Sequence, residues 1–457
     1  MLVLLLGYYL AQVGHGEAGP ILSLEPRDLP SYGDQSINSR TTWSIVWSCL
    51  STIFLCTWVA VHPNVTFRRE NPNMGRFEKW LWDPLQEFFR YKLILFLWAL
   101  LVPEYILAWA ARQYIRAGEI QKEVPGWTRG HGFFMIMGGF HLFRPPALAP
   151  YVALPLGSKS PSAFVLPGGN YSREDEVPVC PIQIKDISIE ILKIVAPTEA
   201  ELKDKGKSDG LTKLIVLVQT LWFVIQCIAR GLRDLPLTEL EIVTLAYAML
   251  NLFTFVFWWD KPRNVECPVR LYKPAMRVHA NGDKGPRKLG NNWFTATFFR
   301  VLTYVVGQQD DSVDIVEVSS IPMFWSGRLE EKSLFGATLG PAILGVVFGI
   351  IHCIAWSSEF PSAIQAILWH VSCIAMTLIP LVLVCICAVG RVPVGTLDEY
   401  GPWIKLLVIG CSTTLALTSW LYIAGRIATL VIALTTLRSL PPGAFISVDW
   451  TTFIPHI

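Results

Sequence analysis

The sequence predicts an all-α fold, a polytopic transmembrane helical bundle of about seven spans. Three observations predict it. Apolar residues make up 52% of the 457-residue chain and charged residues only 16%, against about 25% charged in an ordinary soluble protein. Mean hydropathy is +0.42, concentrated in long apolar runs of the kind that cross a ~30 Å hydrocarbon core at about 1.5 Å per residue. The 18 tryptophans exceed ordinary usage, and rings of this kind collect at membrane–water interfaces. A net charge of +2 supplies no basic field for nucleic acid.

Residues 1–19 open with a ten-residue apolar run, too short to span, followed by Gly16, Glu17 and Ala18. This resembles the h-region and cleavage context of a signal peptide, although no basic n-region precedes it. The first span is 41–61, stopped by His62-Pro63. Residues 64–90 mix Arg68, Arg69, Arg76, Lys79 and Arg90 with acids and aromatics, as an interfacial segment does.

The second span, 93–111, carries Pro103-Glu104 in its middle. Proline there removes a hydrogen bond and kinks the helix. Glu104 is thereby a carboxyl group near mid-bilayer, which must be protonated, paired or facing a wet cavity. Residues 132–143 are too short to cross and suggest a re-entrant or interfacial piece. Loop 144–213 follows, with a glycosylation sequon at Asn170 if that loop is lumenal. Thr198 and Glu201 have the spacing of a helix-capping box.

Spans 214–229 and 238–259 come next, the latter ending in Trp258-Trp259-Asp260-Lys261. The hydrophilic connection 261–335 is basic first and acidic second. Spans 336–356 and 364–389 form an antiparallel hairpin through a short link. The last span is 404–424, with Gly425-Arg426 marking the exit and one apolar helical face continuing beyond it. With a cleaved signal, the Arg68–Arg90 stretch is cytosolic, and Asn170, Cys180 and Cys267 lie together in the lumen. A disulfide between Cys180 and Cys267 is then open to them. That orientation leaves the basic residues 261–288 lumenal, against the positive-inside rule.

The hairpin carries one histidine per helix, His352 and His370, at similar depth near one membrane face. Gly336 and Gly340, and Gly345 and Gly349, have the four-residue spacing that lets another backbone approach. At 100° per residue His352 falls about 20° from Gly345 and about 60° from Gly349, so it faces protein. It is either a packed ring whose N–H bonds a carbonyl of the neighbouring helix or part of a ligand or proton site. Two histidines without a third ligand do not make a metal site. No nucleotide-binding, serine-hydrolase or zinc-protease motif is present, and no cofactor is implied.

Several strings resemble a family of fungal polytopic membrane proteins: RTTWSIVWSCL at 40–50, VAVHPNV at 59–65, QTLWF at 219–223, FWWDKP at 257–262, GIIHCIAW at 349–356, LRSLPPG at 437–443 and WTTFIPH at 450–456. Some members of that family accompany natural-product biosynthetic genes, and a membrane-bound pericyclase is proposed among related proteins. The resemblance implies an integral protein of fungal secondary metabolism, in the endoplasmic reticulum, working beside other biosynthetic enzymes. It implies a cyclase of Diels–Alderase type acting on a hydrophobic terpenoid or polyketide. Such an enzyme needs a pocket that holds a reactive conformer and a donor to polarise a carbonyl. His352, His370, Glu104 and Arg426 are the candidate donors. The competing expectation is a non-enzymatic transporter, receptor or scaffold; a transporter should show repeats or paired broken helices.

Overall fold

A computed structural model describes residues 39–65, 85, 88–144, 151–153, 165–167, 176–206, 210–263, 265, 267–272, 315, 318, 320–389 and 402–448. The proposed signal peptide and Asn170 lie outside them. Among the described residues six helical segments are long and apolar enough to cross a membrane: Thr42–Ala60, Thr212–Gly231, Glu239–Phe257, Gly336–Ser357, Ala363–Val382 and Leu417–Ser439. A seventh apolar element is a pair of helices, Leu93–Leu101 and Pro103–Glu123, bent by 108° at Val102. The chain is a multi-pass membrane protein with a helical bundle.

The helices, in chain order, are α1 (Thr42–Ala60), α2 (Leu93–Leu101), α3 (Pro103–Glu123), α4 (Arg129–Ile136), α5 (Ile189–Val195), α6 (Glu199–Lys205), α7 (Gly210–Gly231), α8 (Glu239–Phe257), α9 (Glu331–His352), α10 (Ala363–Val389) and α11 (Pro402–Thr435). The cap at Thr198 and Glu201 forms as its spacing predicts, and Thr238 with Glu241 caps α8 in the same way. Each pair ties off two backbone N–H groups that the first helical turn leaves unpaired.

Contacts at the helix ends trace the path. At one end of the bundle, Arg40 before α1 pairs with Glu241 at 2.6 Å, and Ser39 bridges to Ile446 beyond α11. Arg230 at the end of α7 donates to the carbonyls of Pro236, Gly443 and Ile446. Gln365 of α10 reaches Thr435 of α11 at the same end. At the other end, Lys261 donates to the carbonyl of His62 and Lys213 to that of Trp259. Both arms of the bent pair open toward this second end. Leu95 of α2, Ile120 at the far end of α3, Val61 and Val265 share one apolar cluster there. Between its arms the element reaches inward, where Glu104 packs on Gly345 of α9.

Residues 132–143 are not a separate interfacial piece. They form most of α4 and then strand β1 (Phe140–Arg144). β1 pairs antiparallel with β4 (Val177–Pro181) and parallel with β5 (Val269–Tyr272). β2 (Tyr151–Ala153) and β3 (Val165–Pro167) pair in a second, two-stranded sheet, whose β3 lies against β5. Gly132 makes the local packing: a Cβ there would sit 2.4 Å from the Ala117 carbonyl oxygen, so α4 can lie on α3 only with glycine at that point. This contact draws residues 103–144 into the cluster at the second end. Cys180 and Cys267 are not joined by a disulfide.

The last span also differs from expectation. The last helix runs unbroken over Pro402–Thr435, and Leu417–Ser439 is itself apolar enough to cross a membrane, so Arg426 stands inside an apolar helical stretch. Its side chain is 1% exposed. The reason is a set of partners that the helix break provides.

Candidate functional site at the helix break

Proline at 103 cannot donate to a carbonyl one turn back, so α2 ends with acceptors freed. Two side chains from other helices take them. The hydroxyl of Tyr247 on α8 donates to the Leu100 carbonyl, and Nε of Arg426 on α11 approaches the Leu101 carbonyl at 3.4 Å. The backbone N–H of Val102 still donates to Trp98. A cation at the C-terminus of α2 and a carboxyl in the first turn of α3 each suit the local helix dipole. Arg426 and Glu104 hold those two places.

The guanidinium of Arg426 lies between rings, 3.8 Å from the Phe348 centroid and 4.9 Å from that of Tyr247. Its Nη1 faces the sulfur of Met376 at 4.0 Å. Glu104 lies within electrostatic reach of Arg426, Tyr422 and Tyr247, and its stem is close to where a Cβ on Gly345 would stand. His352 on α9 is fully buried. Its Nδ1 donates to the Phe348 carbonyl of its own helix at 2.8 Å, which makes Nε2 the acceptor nitrogen of a neutral ring. The expected bond to a neighbouring helix is not the one formed.

Four side chains here have five buried polar atoms without a hydrogen-bond partner: both carboxyl oxygens of Glu104, Nε2 of His352, the Tyr422 hydroxyl and Nη2 of Arg426. Tyr422 and Glu104 face each other closely enough to interact, yet neither completes a hydrogen bond of normal geometry. Buried polar atoms are satisfied in the great majority of cases, so several at one place ask for a reason. Together they offer one N–H donor, one imidazole acceptor, one phenol and one carboxyl.

The structure therefore brings together Glu104, His352 and Arg426, and adds Tyr247 and Tyr422. His370 is placed elsewhere. It stacks on Trp356 with centroids 4.1 Å apart, and its Nε2 donates to the Trp356 carbonyl at 2.9 Å. Tyr422 was findable from sequence, since it precedes Arg426 by four residues and shares its helix face. Tyr247 carried no such signal. Among the described residues no three of His, Cys, Asp or Glu come together as metal ligands would.

A second polar network lies at the other end of α3. Lys261 is 1% exposed and donates to the His62 carbonyl, to Oε1 of Gln113 at 2.8 Å and to Oδ1 of Asn64 at 3.5 Å. The rings of Trp258 and Trp109 lie 4.5 and 4.8 Å away. Burial pushes the Lys261 pKa well below its usual value, while three acceptors and two indole faces favour the ammonium. The Trp325 carbonyl accepts from Asn64, Trp109 and Gln113. The Lys261 ammonium and the side-chain amides of Asn64 and Gln113 all have partners, so this network is a staple joining α1, α3, α8 and the segment before α9. Asn64 is the asparagine of a second sequon, and its side chain is committed here.

No curated protein and no solved structure matches the chain. The model of a family of unknown function, DUF8562, matches residues 165–278, a stretch that contains Tyr247 but not Glu104, His352, Tyr422 or Arg426.

Proposed function

We propose that the protein is a membrane-embedded cyclase of the pericyclase type, acting on a hydrophobic terpenoid or polyketide intermediate of secondary metabolism in the endoplasmic-reticulum membrane. The observation that carries this reading is the group of buried, unpartnered polar atoms around the helix break. A greasy substrate with a single carbonyl fits that inventory. Nη2 of Arg426 donates to the carbonyl oxygen and draws electron density from the conjugated dienophile. The Tyr422 hydroxyl is the second donor, and His352 Nε2 accepts from a substrate hydroxyl. In a [4+2] closure two σ bonds form at the expense of π bonds, with no atom gained or lost, so no cofactor enters. The protein contributes a held conformer and a preorganised donor in a dry site.

The test uses microsomes from a host expressing the chain, supplied with a lipid extract of a producing strain that lacks the gene. A pericyclase converts one compound into an isomer of identical mass and different retention. Glu104→Gln and Arg426→Met should each lower that conversion at least tenfold at equal protein level. No isobaric product, or full conversion by both variants, would reject the reading. One observation favours a second reading, a transporter: a helix broken by 108° beside a buried carboxyl is a feature of ion-coupled carriers. In sealed vesicles a carrier redistributes a compound without creating a new one.

A further inference from the structure

We propose that Cys353 and Cys373 are a dithiol that closes reversibly into a disulfide, stapling α9 to α10 beside the helix break. The register of the hairpin brings the two together. Gly345 of α9 meets Pro380 of α10, where a Cβ on the glycine would stand 3.4 Å from the proline ring. Gly349, one turn on, meets the backbone of Thr377. At the end of the hairpin Trp356 stacks on His370, and its carbonyl accepts from that ring. Each advance along α9 is thus matched by an equal retreat along α10. One turn on from Gly349 is Cys353, and one turn back from Thr377 is Cys373. Sγ of Cys353 donates to the Gly349 carbonyl at 3.6 Å, and Oγ1 of Thr377 to the Cys373 carbonyl at 2.8 Å. Each cysteine therefore lies in the turn that adjoins the backbone contact. The two thiols are within hydrogen-bonding reach of each other. A disulfide needs Cα atoms ~4.4–6.8 Å apart, and the approach that Gly349 permits brings the helices that near.

Both cysteines are free thiols in the structure, and they differ in access. Cys353 is half-buried, in the 3₁₀ turn Cys353–Ser357 that leads into the link. Cys373 is fully buried in the apolar cluster that holds Trp369 and Ala355. A small disulfide such as oxidised glutathione therefore meets Cys353 first. The Cys353 thiol loses its proton and its sulfur bonds to one glutathione sulfur, which releases the other glutathione as a thiol. Cys373 then loses its proton and attacks the Cys353 sulfur, and the second glutathione leaves as a thiol. The two cysteines give up two electrons and two protons, and one oxidised glutathione takes them up as two reduced molecules. The bridge fixes two walls of the site at the helix break. His352 adjoins Cys353 in the chain, Met376 lies one turn from Cys373 and faces Arg426, and Ser372 packs on Gly425 of α11. This chemistry belongs to the cysteines and does not rest on the cyclase reading.

The test treats the detergent-purified full chain with oxidised glutathione, blocks the remaining thiols with N-ethylmaleimide, and maps the unreduced peptides by mass spectrometry. Peptides joined through Cys353 and Cys373 should appear, two hydrogens lighter than the dithiol form, and vanish with dithiothreitol. Bridging should raise the thermal midpoint by about 3 °C, because the closed loop restricts the unfolded chain. Cys373→Ala should hold one glutathione on Cys353, whereas Cys353→Ala should take none on Cys373. Cys353→Ser changes a half-buried position, so it should melt like the reduced native chain and ignore glutathione, which separates a lost bridge from a lost fold. Cys267→Ser, which removes an exposed thiol elsewhere, should bridge as the native chain does. Maleimide on both Cys353 and Cys373 after oxidation overturns the proposal. So does a glutathione retained on Cys353 of the native chain with no joined peptide, or a disulfide from either cysteine to a third.

Discussion

The guanidinium of Arg426 stacks on the ring of Phe348 at 3.8 Å, one helical turn before the buried imidazole of His352. That stack holds a cation within a span where a bare charge is costly. The side chain also approaches the freed Leu101 carbonyl and lies within reach of Glu104. Replacing Arg426 with methionine keeps the bulk and removes all three interactions. The expected loss is on the order of 3 kcal/mol, most of it the cost of leaving a carboxyl and a carbonyl unanswered. Adding Glu104→Gln should recover part of that loss. Thermal midpoints in detergent, read by fluorescence-detected gel filtration, give the double-mutant cycle; strict additivity of the two changes would contradict the coupling.

Gly349 tests the hairpin. A Cβ there would lie 2.6 Å from the backbone nitrogen of Thr377 and 2.8 Å from the Met376 carbonyl carbon, so α9 and α10 touch backbone to backbone. Gly349→Ala should destabilise by about 1–3 kcal/mol through overpacking. Gly340 has nothing within 4 Å of its Cβ position. Gly340→Ala should therefore be neutral or slightly stabilising, as alanine favours helix. Comparable melting of the two variants would refute this packing.

These contrasts mark how far the sequence could be read. Both glycine pairs have the same spacing, and only the pair at 345 and 349 meets another helix. Spacing reports what an approach would need, not whether a partner is there. The pair did point His352 inward, and His370 had no such marker to tell its face. Pro103 announced a break, but not that α3 would turn by 108°. The turn depends on α3 packing against Gly132 and α4, a contact no local pattern encodes. A cation usually sits at a span's end, so sequence alone marks Arg426 as an exit. The partners that keep it inside lie 78 and 325 residues away in sequence, at Phe348 and Leu101.

His62 gives a dependence on pH. It is 1% exposed, its Nδ1 donates to the Ala60 carbonyl, and Nε2 has no partner. Burial lowers its pKa well below the usual value, and Lys261, Arg263 and Lys213 push the same way. The ring is neutral in the fold and titrates near pH 6.5 when unfolded. Above that pH neither state binds the proton and no stability is lost. Below it the unfolded chain binds a proton that the fold refuses, so stability falls as pH drops. The slope approaches about 1.4 kcal/mol per pH unit until the folded pKa is reached. Thermal midpoints between pH 7.5 and 5.0 should fall in the native chain and flatten in His62→Gln, measured relative to each protein's value at pH 7.5. Parallel curves for the two would contradict this account.

The path of the bent pair bears on orientation. Counted as a crossing, residues 93–111 would put the basic stretch at 261–288 on the opposite side from Arg68–Arg90. In the structure the chain leaves at Val65 and returns at Lys92, leaves again at Tyr272 and returns by Ile315, all at the second end of the bundle. The described residues that border both basic stretches thus stand at one end, and the positive-inside rule predicts that this end is the cytosolic one. β3 and β4, which flank Asn170 in sequence, stand there too: β4 pairs with β1, β1 with β5, and β3 lies against β5. Asn170 should therefore remain unglycosylated, and Cys180 and Cys267 should remain reduced in a cytosolic environment. The opposite end, where Arg40 and Arg230 hold the 443–446 segment, should then face away from the cytosol. An acceptor sequon inserted through a spacer in the 357–362 link between α9 and α10 should be glycosylated and shift in mass after endoglycosidase treatment, while the native chain does not shift. A glycan on Asn170, or no modification at the inserted site in a chain that folds, would reverse the orientation derived from the bent pair.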